Sequence, residues 1–255
     1  MSNTSASNTL SVHSRAMFKA AVLLSQIYNI TIGGQSLGWQ TVHTDGSMIS
    51  TLRSTCLAIS TSNTVGIVGP ILSREANFIA DFAEIVSVPL ISYAATNPDL
   101  SDRNAYSIFY RTVPSDKVAA MAIAQLFTIF NWTSCIIVYQ NDEYGSGGLK
   151  ALIGILTIEP TTGDVVNEPI NTTLLNAAYN IWQQYEPESF PGPTKVNYYA
   201  LFAFDATWSL IQSLQRFCSI TSNSSSSCIS IRNSSFCFDY RFLNGDSFFD
   251  TILNT

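Results

Sequence analysis

A chain of 255 residues has room for one large domain or two small ones with a sizeable buried core. Its hydrophobic share of 46% marks it as globular, while charged residues make up 12%, about half the usual share of roughly 25%. A net charge of −6 excludes a nucleic-acid partner, whose phosphates demand clustered Lys and Arg.

Residues 1–13 are polar and read as a disordered N-terminus. Met17–Tyr28 places Phe18, Ala21, Val22 and Ser25 on one face, which predicts an amphipathic helix. Leu37–His43 reads as a strand and Met48–Ser60 as a second helix. Val65–Val68 is a short apolar run too brief for a helix, so it reads as a buried strand, followed by a Gly69–Pro70 turn. A helix from about Ser73 follows, with Ala76, Ile79, Ala80, Ala83 and Val86 at helical spacing, and Pro89–Ile91 is the next strand.

Ser115 is a good N-cap for a helix running to Phe130, with Asp116 in its first turn. Val118, Met121, Ala122, Leu126 and Ile129 form its apolar face. Cys135–Tyr139 reads as a strand and Tyr144–Leu152 as a helix. Beyond it, the ILTIEP run at 155–160 reads as a strand, 160–169 as a loop and Leu174–Tyr185 as a helix. EPESFPGP is a Pro-rich break. Tyr198–Phe217 is a strong helix with Tyr199, Phe202, Ala203, Ala206, Leu210, Leu214 and Phe217 on one face, and a Ser/Asn-rich tail follows. The alternation of strand and helix argues an α/β fold with a largely parallel sheet.

Sequons stand at Asn3, Asn29, Asn131, Asn171, Asn223 and Asn233, which with the low charge fit a secreted glycoprotein. No apolar run approaches the roughly 20 residues of a membrane span. The opening MSNTSASNTLSVHSR lacks the apolar centre of a signal peptide, so an extracellular destination requires a leader not contained in it. Of the five cysteines, Cys135 opens a predicted strand and reads as a small buried hydrophobe. Cys218, Cys228 and Cys237 lie close together, where a local disulfide fits an oxidising compartment. Their spacing matches no zinc signature, and the sequence shows no cofactor motif. His13 and His43 lie outside the loops that follow the strands, and no hydrolase, zinc-protease or phosphate-loop motif occurs, so no catalytic residue is assigned.

The GP after the first strand of the central stretch, ISYAATNPDLSD, FYRTVPSD, the NW before a strand and the DEYG loop occur in one order. Together they resemble the extracellular ligand-binding region shared by class C G-protein-coupled receptors, ionotropic glutamate receptors and natriuretic-peptide receptors, over roughly residues 16–217. The resemblance implies a parallel-sheet α/β lobe like those of type I periplasmic binding proteins, with the second lobe truncated. It divides the chain into a disordered 1–13, a first lobe over 14–114, a second-lobe remnant over 115–152, a return to the first lobe over 153–217 and a tail over 218–255. The family's first strand is missing before Met17, and several βα units are missing between Leu149 and the ILTIEP run. A lone strand in the remnant cannot satisfy its own backbone, so it must pair elsewhere or be poorly ordered.

The resemblance also points to a site. A ligand carboxylate suits backbone N–H groups and hydroxyls at a helix start, which matches Ser73, Thr96 and the backbone at Ala94. A ligand ammonium suits a carboxylate and an aromatic face, which matches Asp116 and Tyr144. Each residue has a plainer role as well: Ser73 and Asp116 as ordinary helix-start residues, Thr96 as a turn residue before Pro98, Tyr144 as a loop anchor. The ILSRE loop keeps one Ser and adds Arg74 and Glu75, a departure from the family's Ser-rich loop. The function implied is an extracellular receptor domain that recognises an amino acid or related small molecule by clamshell closure. Dimerisation through the first lobe is also implied, with membrane attachment through a C-terminal region outside this chain. The alternatives are a truncated interaction module without ligand, and the ectodomain of a natriuretic-peptide-type or ionotropic receptor. The sequons proposed to carry sugar are Asn29, Asn131, Asn171, Asn223 and Asn233.

Overall fold

The computed structural model describes residues 4–156 and 171–221. The tail beyond 221, with Cys228, Cys237, Asn223 and Asn233, and the expected loop at 160–169 therefore lie outside the described residues. The chain opens with helix α1 (Thr4–Ile27), then a tight two-residue ladder of β1 (Thr31–Ile32) and β2 (Gln35–Ser36). Helix α2 (Met48–Thr61), β3 (Ile67–Val68), α3 (Ser73–Ile85), β4 (Leu90–Ser92) and β5 (Phe109–Arg111) form the central α/β layer. Helices α4 (Asp116–Ile129), α5 (Glu143–Leu156), α6 (Thr172–Tyr185) and α7 (Tyr198–Thr221) complete it.

Strands β3, β4 and β5 are parallel and adjacent in that order, with Ile67 opposite Leu90 and Leu90 opposite Phe109. Alternation along the strands sends successive side chains to opposite faces. Leu90 and Phe109 meet Ala76, Ile79, Ala80 and Ala83 of α3, whereas Ile91 and Tyr110 meet Ala206, Leu210 and Leu214 of α7. Both faces are covered, as a parallel sheet requires. The molecule is therefore an α/β lobe built on a parallel sheet. A second apolar cluster forms where α1, α6 and α7 meet, around the fully buried Trp182, Met17 and Phe204. Lys19 of α1 pairs with Glu186 beyond α6 across the same junction.

Two details tie the sheet to its helices. Gly69 adopts φ 111°, a conformation an L side chain resists, and this turns the chain from β3 toward α3. Gly66 lies so close to Leu210 that an added Cβ would come within 2.4 Å of it. At the start of α3, the buried Glu75 carboxylate accepts hydrogen bonds from Thr44 Oγ1 (3.2 Å), Gly46 N (3.0 Å) and Thr51 Oγ1 (3.1 Å). Those three bonds pin the 44–51 segment to α3 and compensate a buried charge.

Several sequence expectations need correction. Residues 4–13 are helical and not disordered, because α1 extends back until His13 and Ser14 are buried; His13 meets Trp182 edge-on at 5.2 Å. Leu37–His43 forms no strand: the chain turns at Gly33–Gly34 and spends its ladder on Gln35–Ser36. Cys135–Tyr139 is likewise not a strand, since no backbone among the described residues pairs with it, and Cys135 is exposed instead of buried. Ile155 and Leu156 belong to α5, so the start of the ILTIEP run is helical; its remainder lies outside the described residues. On α4 the buried positions are Ala120 and Ala124, while Val118, Leu126 and Ile129 face outward. Strand β5 was not anticipated, since three residues carry too little periodicity to read. Among the described residues, no helix is long and apolar enough to cross a membrane.

Candidate functional site

The loops leaving β3, β4 and β5 converge at one end of the sheet, the position where parallel α/β sheets present ligand groups. Ser92 organises the loop after β4. Its hydroxyl donates to Pro70 O (2.7 Å) and accepts from the backbone N–H groups of Ala94 and Ala95 (3.3 and 3.0 Å). That spends the Ala94 amide inside the protein, so it is not offered to a ligand. Ser73, the first residue of α3, is buried and accepts from Asn97 N (3.4 Å), tying α3 to the same loop.

Thr96 and Asp116 stand apart from this satisfied network. The Asp116 N–H donates to Thr96 O (3.0 Å), which brings the start of α4 against the β4 loop. Thr96 Oγ1 and Asp116 Oδ2 are both buried and, among the described residues, have no hydrogen-bond partner. Burial raises the Asp116 carboxyl above the usual range, opposed by the nearby Thr96 hydroxyl and the Arg111 guanidinium. The hydroxyl is thus close enough to favour the ionised acid but misses hydrogen-bond geometry. Unpaired buried polar atoms are uncommon because each costs on the order of 1–3 kcal/mol. Side by side these two form a small buried polar pair.

Arg111 and Asn97 surround this pair. At the end of β5, Arg111 Nη1 donates to Ala95 O (3.2 Å) and Asn97 O (2.9 Å), the carbonyls on either side of Thr96, and its other nitrogen reaches Ser101 Oγ. The guanidinium therefore fixes the backbone that presents Thr96. Helix α5 lies over the pair with its glycine face inward. An added Cβ at Gly147 would come within 2.8 Å of Asn97 Oδ1, and one at Gly148 within 3.8 Å of Asp116 Oδ2. Sequence reasoning missed Arg111 as a site residue, although it is the basic side chain of the FYRTVPSD run.

Of the expected residues, the structure brings Ser73, Ala94, Thr96 and Asp116 into this loop cluster. Tyr144, in the first turn of α5, is half exposed. A cavity of about 690 Å³ lies on the other side of Asn97, among the starts of α2, α3 and α5. Ser47, Arg74, Asn77, Asp99 and Lys150 line it, and the five expected residues do not. A larger one of about 900 Å³ runs along the open edge of β3 toward α1 and α7. Among the described residues, no cluster of His, Cys, Asp and Glu is arranged to hold a metal.

Comparison with known proteins gives the same region prominence. Residues 20–160 match the family described as the receptor family ligand binding region. A stretch of 88 residues, 34% of the chain, is 40% identical to Glutamate receptor 3.7 of Arabidopsis thaliana. Over 89 residues, 35% of its length, the chain is 38% identical to the probable metabotropic glutamate receptor mgl-1 of Caenorhabditis elegans. The matched stretch makes up 9% of the length of each relative.

Proposed function

This chain belongs to the receptor ligand-binding-region family, and from that membership we propose that it recognises a small amino acid or closely related molecule at the Thr96–Asp116 pair. The observation that carries the reading is the adjacent pair of unpaired buried atoms, Thr96 Oγ1 and Asp116 Oδ2. A zwitterion supplies the two missing partners: its carboxylate accepts from the Thr96 hydroxyl, and its ammonium donates to the Asp116 carboxylate. The two relatives are both named as glutamate receptors, which supports an amino-acid class without naming the ligand.

Entry requires α5 to lift from Asn97 and Asp116, because Gly147 and Gly148 cover the pair. In this reading α4 and α5 are the second-lobe remnant, and closure is the settling of α5 over bound ligand. The ligand shifts that equilibrium by as much as it binds the closed form better than the open one. The reading also places the protein in the secretory pathway. Asn29, Asn131 and Asn171, each in an N-x-S/T sequon, are exposed, as sugar attachment requires.

The test is calorimetry of the full chain against a panel of the common L-amino acids. Two or three charge-assisted hydrogen bonds, at roughly 1.5–3 kcal/mol each, set against the cost of capture, predict a Kd on the order of 1 mM, near −4 kcal/mol. Thr96→Ala and Asp116→Asn should each abolish the signal. Binding by no amino acid, or unchanged binding by Thr96→Ala, overturns the reading. A second reading, an interaction module without ligand, draws on the exposed apolar face of α4, and gains if calorimetry is silent.

A further inference from the structure

The C-terminal end of α4 leaves three large apolar side chains in water: Ile129, Phe130 and Trp132 are each more than half exposed. Two of them are ordered against each other, with the Phe130 and Trp132 rings stacked at 5.0 Å and 24°. Trp132 also meets Phe127 edge-on at 5.5 Å. Between the stacked rings in sequence stands Asn131, at φ 53° and exposed. Its left-handed turn closes the helix through Asn131 N to Thr128 O (3.3 Å) and Trp132 N to Phe127 O (2.9 Å). Thr133 completes an N-x-T sequon on the exposed side of that turn.

We infer that Asn131 carries an N-linked glycan whose first sugars lie on the Phe130–Trp132 platform and cover the apolar end of α4. The inference rests on the secretory part of the reading above. In the attachment, the Asn131 side-chain amide nitrogen bonds to C1 of the reducing-end N-acetylglucosamine of a lipid-pyrophosphate-linked oligosaccharide. The C1–O bond breaks, the lipid pyrophosphate leaves with the bonding pair, and the amide gives up one proton. The backbone bonds that hold the turn use no side-chain atom of Asn131, so attachment leaves the helix end intact. The exposed side chain stands beside two stacked rings, and the apolar C–H face of a pyranose packs on the outward face of such a pair. Asn29 shares the turn, with φ 53°, but its neighbour Tyr28 meets Trp208 edge-on. Asn171 instead spends its side-chain oxygen capping α6 through Leu174 N (3.1 Å).

The full chain, secreted from animal cells behind a cleavable leader, provides the test. Enzymatic deglycosylation in heavy-oxygen water, followed by peptide mapping, reports which sequons are occupied. Apolar-dye fluorescence and acrylamide quenching of tryptophan, before and after sugar removal, report whether the platform is covered. We expect Asn131 to be occupied and dye fluorescence to rise about twofold when the sugar is removed from the parent, as a covered apolar patch becomes exposed. Thr133→Ala, which keeps Asn131 and its turn, should show the raised level without enzyme, and Trp132→Ala should show little rise on deglycosylation. Should Thr133→Ala fail to fold, enzymatic removal from the parent decides alone. An unmodified Asn131 alongside an occupied Asn29 or Asn171 overturns the inference while the secretory reading stands. Occupancy with no change in dye binding or quenching overturns the covering role. Absence of sugar from every sequon overturns both.

Discussion

Leu90 in β4 and Val138 after α4 both lie in short apolar runs following a helix, yet Leu90 is 0% exposed and Val138 is 92% exposed. The same contrast separates α3 from α4. The apolar stripe of α3 is buried against the sheet, whereas α4 buries Ala120 and Ala124 and turns Val118, Leu126 and Ile129 to solvent. Local pattern does not distinguish these segments. What differs is company: Leu90 has β3 on one side and β5 on the other, with α3 and α7 above and below. Among the described residues, the run at Cys135–Tyr139 has no strand to accept its backbone. A strand exists only as part of a ladder, so an apolar run without a neighbour stays a loop.

That contrast breaks most directly by truncating one residue from each region. Leu90→Ala should cost about 2–5 kcal/mol by removing a core side chain from the centre of the sheet. Val138→Ala should stay within about 0.5 kcal/mol, as for an exposed surface position. Denaturant unfolding of both variants measures the difference. A cost above about 1–2 kcal/mol at Val138 would mean the segment is packed in solution.

Hydrogen exchange sharpens the same comparison without mutation. The amides of Ile67 and Gly69 donate to Pro89 O (2.8 Å) and Ile91 O (2.9 Å). They should exchange at least about a hundredfold more slowly than the amides of Ile136 and Val138, a difference of roughly 2.8 kcal/mol. Equal protection in the two places would show that the second segment has found a partner strand.

The smallest effect lies at the junction of the two regions. Burial raises the Asp116 pKa above its ordinary value, with Thr96 and Arg111 opposing. A folded-state pKa above the unfolded one means the folded protein holds the proton more tightly. Ionised Asp116 therefore costs stability above that raised pKa, and the cost vanishes as pH falls below the ordinary Asp range. Asp116→Asn should melt slightly above the parent at pH 7, with the advantage closing as the pH is lowered. The favourable placement of an acid at the start of α4 keeps the difference small. A parent that melts higher than the variant at neutral pH would show the carboxylate to be satisfied there.

The candidate residues were legible because they sit at punctuation marks or in family motifs. Ser73 opens α3, Ser115 caps α4 by accepting from Lys117 N (3.4 Å), and Thr96 lies two residues before Pro98; the resemblance to the receptor family singled out Ser73, Thr96 and Asp116 at such marks. Arg111 was not legible as a site residue. Its role depends on two carbonyls 14 and 16 positions away, and no periodicity encodes that. Nor could sequence show that Ser92 consumes the Ala94 amide, or that the glycines of α5 would lie against Asn97 and Asp116.

By itself the sequence determined the alternation of strand and helix, the faces of α3 and α7 and the order of the receptor-family motifs. These are properties of residues near one another in the chain, where side-chain spacing and capping chemistry act. Tertiary structure alone decided which apolar runs became strands, which face of α4 was buried and which polar atoms were left unpaired around Thr96. Each of those depends on whether a second segment, distant in sequence, arrives with a backbone or an apolar surface to offer, and where none arrives the local preference goes unmet.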